Sequence, residues 1–172
     1  MMLGAPAWPP AGGQTVVSSV SRVEPRVDGS IRIVLRDSVD RDFSGSVADP
    51  AVQSLLVGAV RDSVDAGVRI DALGLLRDRI DHTEVRSTFL AALRLDPDDG
   101  VRIKTLELLR PAAARPAVSS AVLEALRADR SALVRAQAAD LLTVGSRGSA
   151  ELAGVFQELM QRQKNLDVRR QG

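Results

Sequence analysis

Gly67-Val68-Arg69-Ile70-Asp71 is followed 33 residues later by Gly100-Val101-Arg102-Ile103-Lys104. The Val-Arg pair returns again as Val134-Arg135 and Val168-Arg169, at steps of 33 and 34 residues. A second register runs alongside it through Val52, Val85, Val118 and Leu152, with the same steps of 33, 33 and 34. Self-similarity at a fixed period in this range predicts stacked supersecondary units, each burying its apolar face on its neighbours.

Around Val52 the apolar residues fall at Leu55, Leu56, Ala59 and Val60, which is one face of a helix. The later copies read Val85, Thr88, Phe89, Ala92, Leu93; then Val118, Ala121, Val122, Ala125, Leu126; then Leu152, Val155, Phe156, Leu159, Met160. Asp49-Pro50 supplies an N-cap acceptor and a first-turn proline for the first of these helices. The second helix of each unit starts at Asp65, Asp98, Ser131 or Asn165, three residues before its Val. Its core face carries Val68, Ala72, Leu73, Leu75 and Leu76, with Val101, Thr105, Leu106, Leu108, Leu109 and Val134, Ala138, Ala139, Leu141, Leu142 as equivalents. The expected fold is mainly α: an α-solenoid of helix pairs with period 33 over residues 48–172, in units of about 48–80, 81–113, 114–147 and an incomplete 148–172.

Ahead of the repeats the period drops to two. Ile31, Ile33 and Leu35 alternate with Arg32 and Val34, and Val39, Arg41 and Phe43 follow. This predicts a small N-terminal β-hairpin over 26–47, capping the first unit, with Asp28-Gly29 and Gly45 as turn or bulge residues. Residues 1–25, rich in Pro, Gly and small side chains, read as a flexible leader or linker, and Trp8 within it as a solvated or loosely docked side chain.

Composition excludes several chemistries. The chain has 23 basic and 22 acidic residues, so charge alone points to no nucleic-acid or anionic-membrane partner. Cysteine is absent and His82 is the single histidine, which leaves no thiol nucleophile, no Cys-based zinc site and no Ser-His pairing within a unit. His82, beside Asp81 and Glu84, reads as a helix N-cap or an exposed residue. Neither GxGxxG nor GxxxxGK[ST] occurs, and no cofactor is expected. No run is long and apolar enough for a membrane span.

Two sets of residues stand out. At 100° per residue, Arg69, Arg102 and Arg135 fall inside the apolar arc of their helices, so each guanidinium needs a carboxylate or carbonyl. The turns between helices offer Asp65, Asp98 and Asp129 among other acids, and a structural Arg–Asp ladder through the units is expected. The outward positions of the second helices read Asp71, then Lys104 and Glu107, then Gln137 and Asp140. They vary while the core does not, as a surface for binding another protein would.

The helix opening Asp49-Pro50-Ala51-Val52, the Asp-rich turn, Gly-Val-Arg and the closing Leu-Leu resemble short bacterial HEAT-like repeats over residues 49–169. A narrower similarity covers 26–169. Phe43-Ser44-Gly45-Ser46-Val47 and Gln53-Ser54-Leu55-Leu56, with the two Gly-Val-Arg-Ile segments, look like the C-terminal region of zinc-finger, anti-sigma-factor-like HEAT-repeat membrane proteins. In that family a cytoplasmic zinc-binding domain and a membrane helix precede the repeats, and this chain carries neither motif. The resemblance implies a non-enzymatic protein-protein interaction scaffold, in its narrower form the docking or sensing part of a bacterial envelope regulator. It also leaves a second class open, since some HEAT-like proteins are bilin lyases or isomerases. A complete chain is expected in the cytoplasm. A fragment of the membrane-anchored family is expected on the periplasmic side of the inner membrane, with an anchor preceding it in the longer form.

Overall fold

The computed structural model describes residues 20–35, 41–145 and the single positions 154, 157 and 161. Among them the chain is mainly helical, with a small antiparallel sheet at the N-terminal side. It divides into two compact units, residues 1–76 and 77–172.

In the first unit, strands β1 (Val20–Pro25), β2 (Ile31–Leu35) and β3 (Arg41–Gly45) pair in the order β1-β2-β3 and adjoin helices α1 (Pro50–Asp62) and α2 (Ala66–Leu76). Ile31, Ile33 and Leu35 are buried and Arg32 and Val34 are not, so the expected alternation holds on β2. Ile33 faces Phe43 across the β2–β3 ladder. Val39 and the rest of residues 36–40 lie outside the described residues.

β1 corrects the expected leader, because Val20–Pro25 is a strand rather than part of a linker. Its signal is hidden by a register shift between Val20 and Arg22, which puts two buried valines, Val20 and Val23, three positions apart rather than two. A bulge of this kind breaks the alternation by which strands are recognised. The sheet thus has a third strand beyond the expected hairpin. Asp28-Gly29 turns the chain between β1 and β2: Gly29 has φ +80, and Ser30 donates its amide and hydroxyl to Asp28 Oδ1 at 2.9 and 2.6 Å. The hydroxyl, then the amide, holds the Asp28 carboxyl below its usual range. Such a three-residue connection with glycine in the left-handed region is a common hairpin form.

Gly45 is the last residue of β3 rather than part of a turn. A Cβ there would stand 2.8 Å from Cγ2 of the buried Val52, so the strand can approach α1 only as glycine. Asp49 caps α1 by accepting from the Ala51 amide at 2.8 Å, with Pro50 in the first turn. α1 and α2 pack on each other and both meet β1. Ser63, between the helices, donates its hydroxyl to the Val20 carbonyl at 3.3 Å. Val52, Leu56, Leu73 and Leu76 fill the interior. Full burial of such side chains is worth roughly 1.5–3 kcal/mol each.

The second unit contains α3 (Thr83–Leu95), α4 (Asp99–Leu109), α5 (Pro116–Ala128) and α6 (Ala132–Gly145), with a 3₁₀ turn at Arg110–Ala112. α3 pairs with α4 and α5 with α6, while α3 also packs on α5 and α4 on α6. Like helices therefore lie beside like helices, one step of the sequence period apart. Val85, Phe89, Val101, Leu106, Val118, Val122, Val134 and Leu141 form the core. Buried Thr88 and Thr105 return their hydroxyls to the helix carbonyls of Glu84 and Val101 at 2.9 and 2.8 Å, so two polar groups enter the core already satisfied. His82 stands at the α3 N-cap position, exposed and making no side-chain cap bond. Asn165 and the apolar positions Leu152, Val155, Phe156, Leu159 and Met160 lie outside the described residues.

Candidate functional site

The arginine register is built from one repeated local arrangement. A long side chain in the first turns of a helix leans toward that helix's N-terminus, so its head returns to the preceding turn. Arg69 Nη1 donates to the carbonyls of Ser63 and Val64 at 2.9 and 3.1 Å. Arg102 Nη1 donates to Asp96 O at 2.8 Å, and Arg135 Nη1 to Asp129 O at 2.8 Å and Arg130 O at 3.4 Å. Each guanidinium therefore holds the turn six residues behind it. The sequence reading allowed each guanidinium a carboxylate or a carbonyl; which carbonyl it takes follows from the constant distance between each arginine and its turn.

Arg102 goes further. Its Nε and Nη2 meet Asp129 Oδ2 and Oδ1 at 2.8 and 2.9 Å, a two-pronged ion pair from α4 to the α5–α6 turn. The two side chains are 2% and 8% exposed. This is the expected Arg–Asp rung, made by Arg102 and Asp129. Asp129 Oδ1 also accepts from the Ser131 amide at 2.8 Å, so the carboxylate is fixed by its own turn before the arginine reaches it.

Asp65 and Asp98, grouped with the arginines and also expected at the starts of the second helices, are found in the second of these places. Asp65 Oδ1 accepts from the Gly67 amide at 2.7 Å, and Asp98 Oδ1 from Val101 N at 3.1 Å. Both stand immediately before or at a helix N-terminus, where free backbone amides claim a carboxylate first. Ser131, expected as an N-cap, sends its hydroxyl to Asp99 Oδ2 at 3.0 Å. Further bonds tie the two helix pairs of this unit together: Arg94 to Glu124 at 2.7 Å, Arg115 to Asp81, and the Arg130 guanidinium to the Pro97 carbonyl.

Burial raises the Asp129 carboxyl, but the hydrogen bonds from Arg102 and the Ser131 amide, with the positive charges of Arg102 and Arg130, outweigh it. The net effect holds Asp129 below its ordinary value. A carboxyl depressed by folding stabilises the fold fully above its unfolded value, near pH 4, and loses that contribution as pH falls through the folded value. In urea melts, the stability gap between the wild type and Asp129→Asn is therefore expected to be wide at pH 7 and to close with acid. An equal gap at pH 7 and pH 2.5 would remove this assignment.

The outward set is placed as follows. Asp71 is exposed on α2 in the first unit. In the second unit Lys104 and Glu107 lie on α4, and Gln137 and Asp140 on the adjacent α6 one register step away. Lys104 Nζ bonds both Glu107 carboxylate oxygens at 3.0 Å, and Asp140 accepts from Arg110 at 2.9 Å. Gln137 is exposed, while Ile103, Leu108 and Ala139 beside this set are half-buried. Arg110 was not singled out by sequence because it lies beyond the second helix, in the 3₁₀ turn. The face thus presents neutralised charge pairs over partly exposed aliphatic carbon.

Among the described residues no group of three or more His, Cys, Asp or Glu side chains is placed to hold a metal ion. No described helix is long and apolar enough to cross a membrane. Comparison of the chain with protein-family models, curated proteins and solved structures finds no match.

Proposed function

We propose that this chain is a non-enzymatic protein-interaction scaffold, an α-solenoid of HEAT-like helix pairs that binds another protein through the outward face of its second helices. The observation that carries this reading is the contrast within one register. Val101 and Val134 are fully buried equivalents, and Arg102 and Arg135 hold equivalent turns, whereas Lys104 and Glu107 are replaced one step on by Gln137 and Asp140. A face that changes while its support repeats is how repeat proteins vary what they bind. The balanced charge and lack of exposed aromatics on this face favour a polypeptide over a nucleic acid. The narrower reading, taken from resemblance, is the docking or sensing part of a bacterial envelope regulator of anti-sigma-factor type.

The test is affinity capture with in-cell cross-linking, using the full chain and a variant carrying Asp71→Arg, Lys104→Glu, Glu107→Arg and Asp140→Arg. The expected result is a recovered protein whose cross-links map to α4 and α6, and whose yield falls at least about tenfold with the variant, the size of losing ~1.4 kcal/mol of binding. All four positions are solvent-accessible, so the variant should melt within a few degrees of the wild type. Unchanged recovery by a folded variant rules out this face.

A further inference from the structure

The outward face of the second unit carries its charge in closed pairs. Lys104 Nζ donates to both carboxylate oxygens of Glu107 at 3.0 Å along α4, and Arg110 Nη2 donates to Asp140 Oδ2 at 2.9 Å across to α6. The signs alternate, basic at 104 and 110 and acidic at 107 and 140, and their sum is zero. Opposite charges in contact cancel well within the ~8 Å over which fields reach at physiological salt, so this face steers neither an acidic nor a basic partner toward itself. Beside the pairs lies carbon. Ile103, Leu108 and Ala139 are half-buried, and Lys104, its side chain 35% exposed, lays its aliphatic stem along α4 to reach Glu107 one turn on.

We propose that this face receives a segment of a partner protein whose contact surface is aliphatic and uncharged. The inference rests on the reading of the outward face as the binding surface and adds the chemistry of what it binds. A carboxylate or ammonium brought against the face gives up hydration and meets, beside each charge that attracts it, one that repels it. An aliphatic segment leaves both pairs closed, and the water it excludes strengthens them. What gains by being covered is the carbon of Ile103, Leu108, Ala139 and the Lys104 stem, which still meets water. Association of this kind draws on apolar burial and is insensitive to salt.

The probes are three short capped peptides that share a stripe of Leu at helical spacing and carry Gln, Glu or Lys at the positions flanking it, each titrated into the full chain. The readout is the Ile103 Cδ1 methyl resonance, assigned by its loss in Ile103→Val. The Gln peptide is expected to shift this resonance saturably, with a midpoint that moves less than about twofold between ~0.05 and ~0.5 M NaCl, and the Glu and Lys peptides to need at least about tenfold more. Glu107→Gln, which leaves the Lys104 ammonium without its carboxylate, is expected to lower the midpoint of the Glu peptide at least about fivefold. The proposal alone is overturned, and the face remains a binding surface, if a charged peptide binds the wild type as well as the Gln peptide does. The same holds if the Gln peptide weakens steeply with salt, or if Glu107→Gln leaves the preference unmoved. A resonance that stays still with all three peptides removes the proposal and the binding-face reading together.

Discussion

Replacing Arg102 by Ala is expected to lower the unfolding free energy by about 3–5 kcal/mol, the range for breaking a buried ion pair by removing one partner. The change leaves the Asp129 carboxylate, whose side chain is 8% exposed, without its two charged donors. It also frees the Asp96 carbonyl that Arg102 Nη1 holds at 2.8 Å. Two turns, one in each helix pair of residues 77–172, thus lose a contact together. Because small domains are stable by only about 5–15 kcal/mol, a loss of this size takes much of the total. The size of the loss measures the unpaired charge rather than the worth of the pair. Arg102→Met combined with Asp129→Leu, which removes both charges and keeps volume, should therefore recover most of the stability. Urea melts of the three variants decide the matter. A cost under about 1 kcal/mol for Arg102→Ala would mean that the pair is screened by water and not a working part of the fold.

Phe89→Ala is expected to cost a similar amount, about 3–5 kcal/mol, through lost burial and the cavity left behind. Phe89 is fully buried in α3, and its register equivalents Leu56 and Val122 are buried too. The repeat fixes an apolar residue there without fixing its volume, so each copy is packed for its own side chain. Phe89→Leu, which puts the residue of α1 into α3, should cost less than the truncation, about 1.5 kcal/mol or under. Thermal and urea unfolding of both variants test this. Equal costs for Ala and Leu would show that the ring contributes nothing beyond its first carbons, and that the pocket is loosely filled.

Much of the helical part was legible because it depends on short-range rules that repeat. Asp49-Pro50 marks a helix start, and Val52, Leu55, Leu56, Ala59 and Val60 mark its buried face; all five are buried. That Arg69 and Arg102 turn inward was legible from helical geometry alone, and both are buried. What escaped depends on three dimensions. β1 was lost to a bulge. The pairing of Arg102 with Asp129 depends on the α5–α6 turn reaching α4, and the Arg110–Asp140 pair on two helices lying side by side. Sequence spacing lists candidate partners for a charge, and the packing of helices against one another selects among them.

Ser63 stands where the later turns carry Asp96 and Asp129, and its hydroxyl reaches a strand carbonyl, Val20 O. The seam between sheet and helices in residues 20–76 holds that neutral bond among aliphatic contacts. The seam between the two helix pairs of residues 77–172 holds, among its other bonds, a charge pair that acid weakens. At one register position, then, the chain ties a neutral hydroxyl to a strand in one copy and a carboxylate to an arginine in another. Falling pH should loosen the second of these ties, at Asp129, and leave the hydroxyl bond of Ser63 untouched.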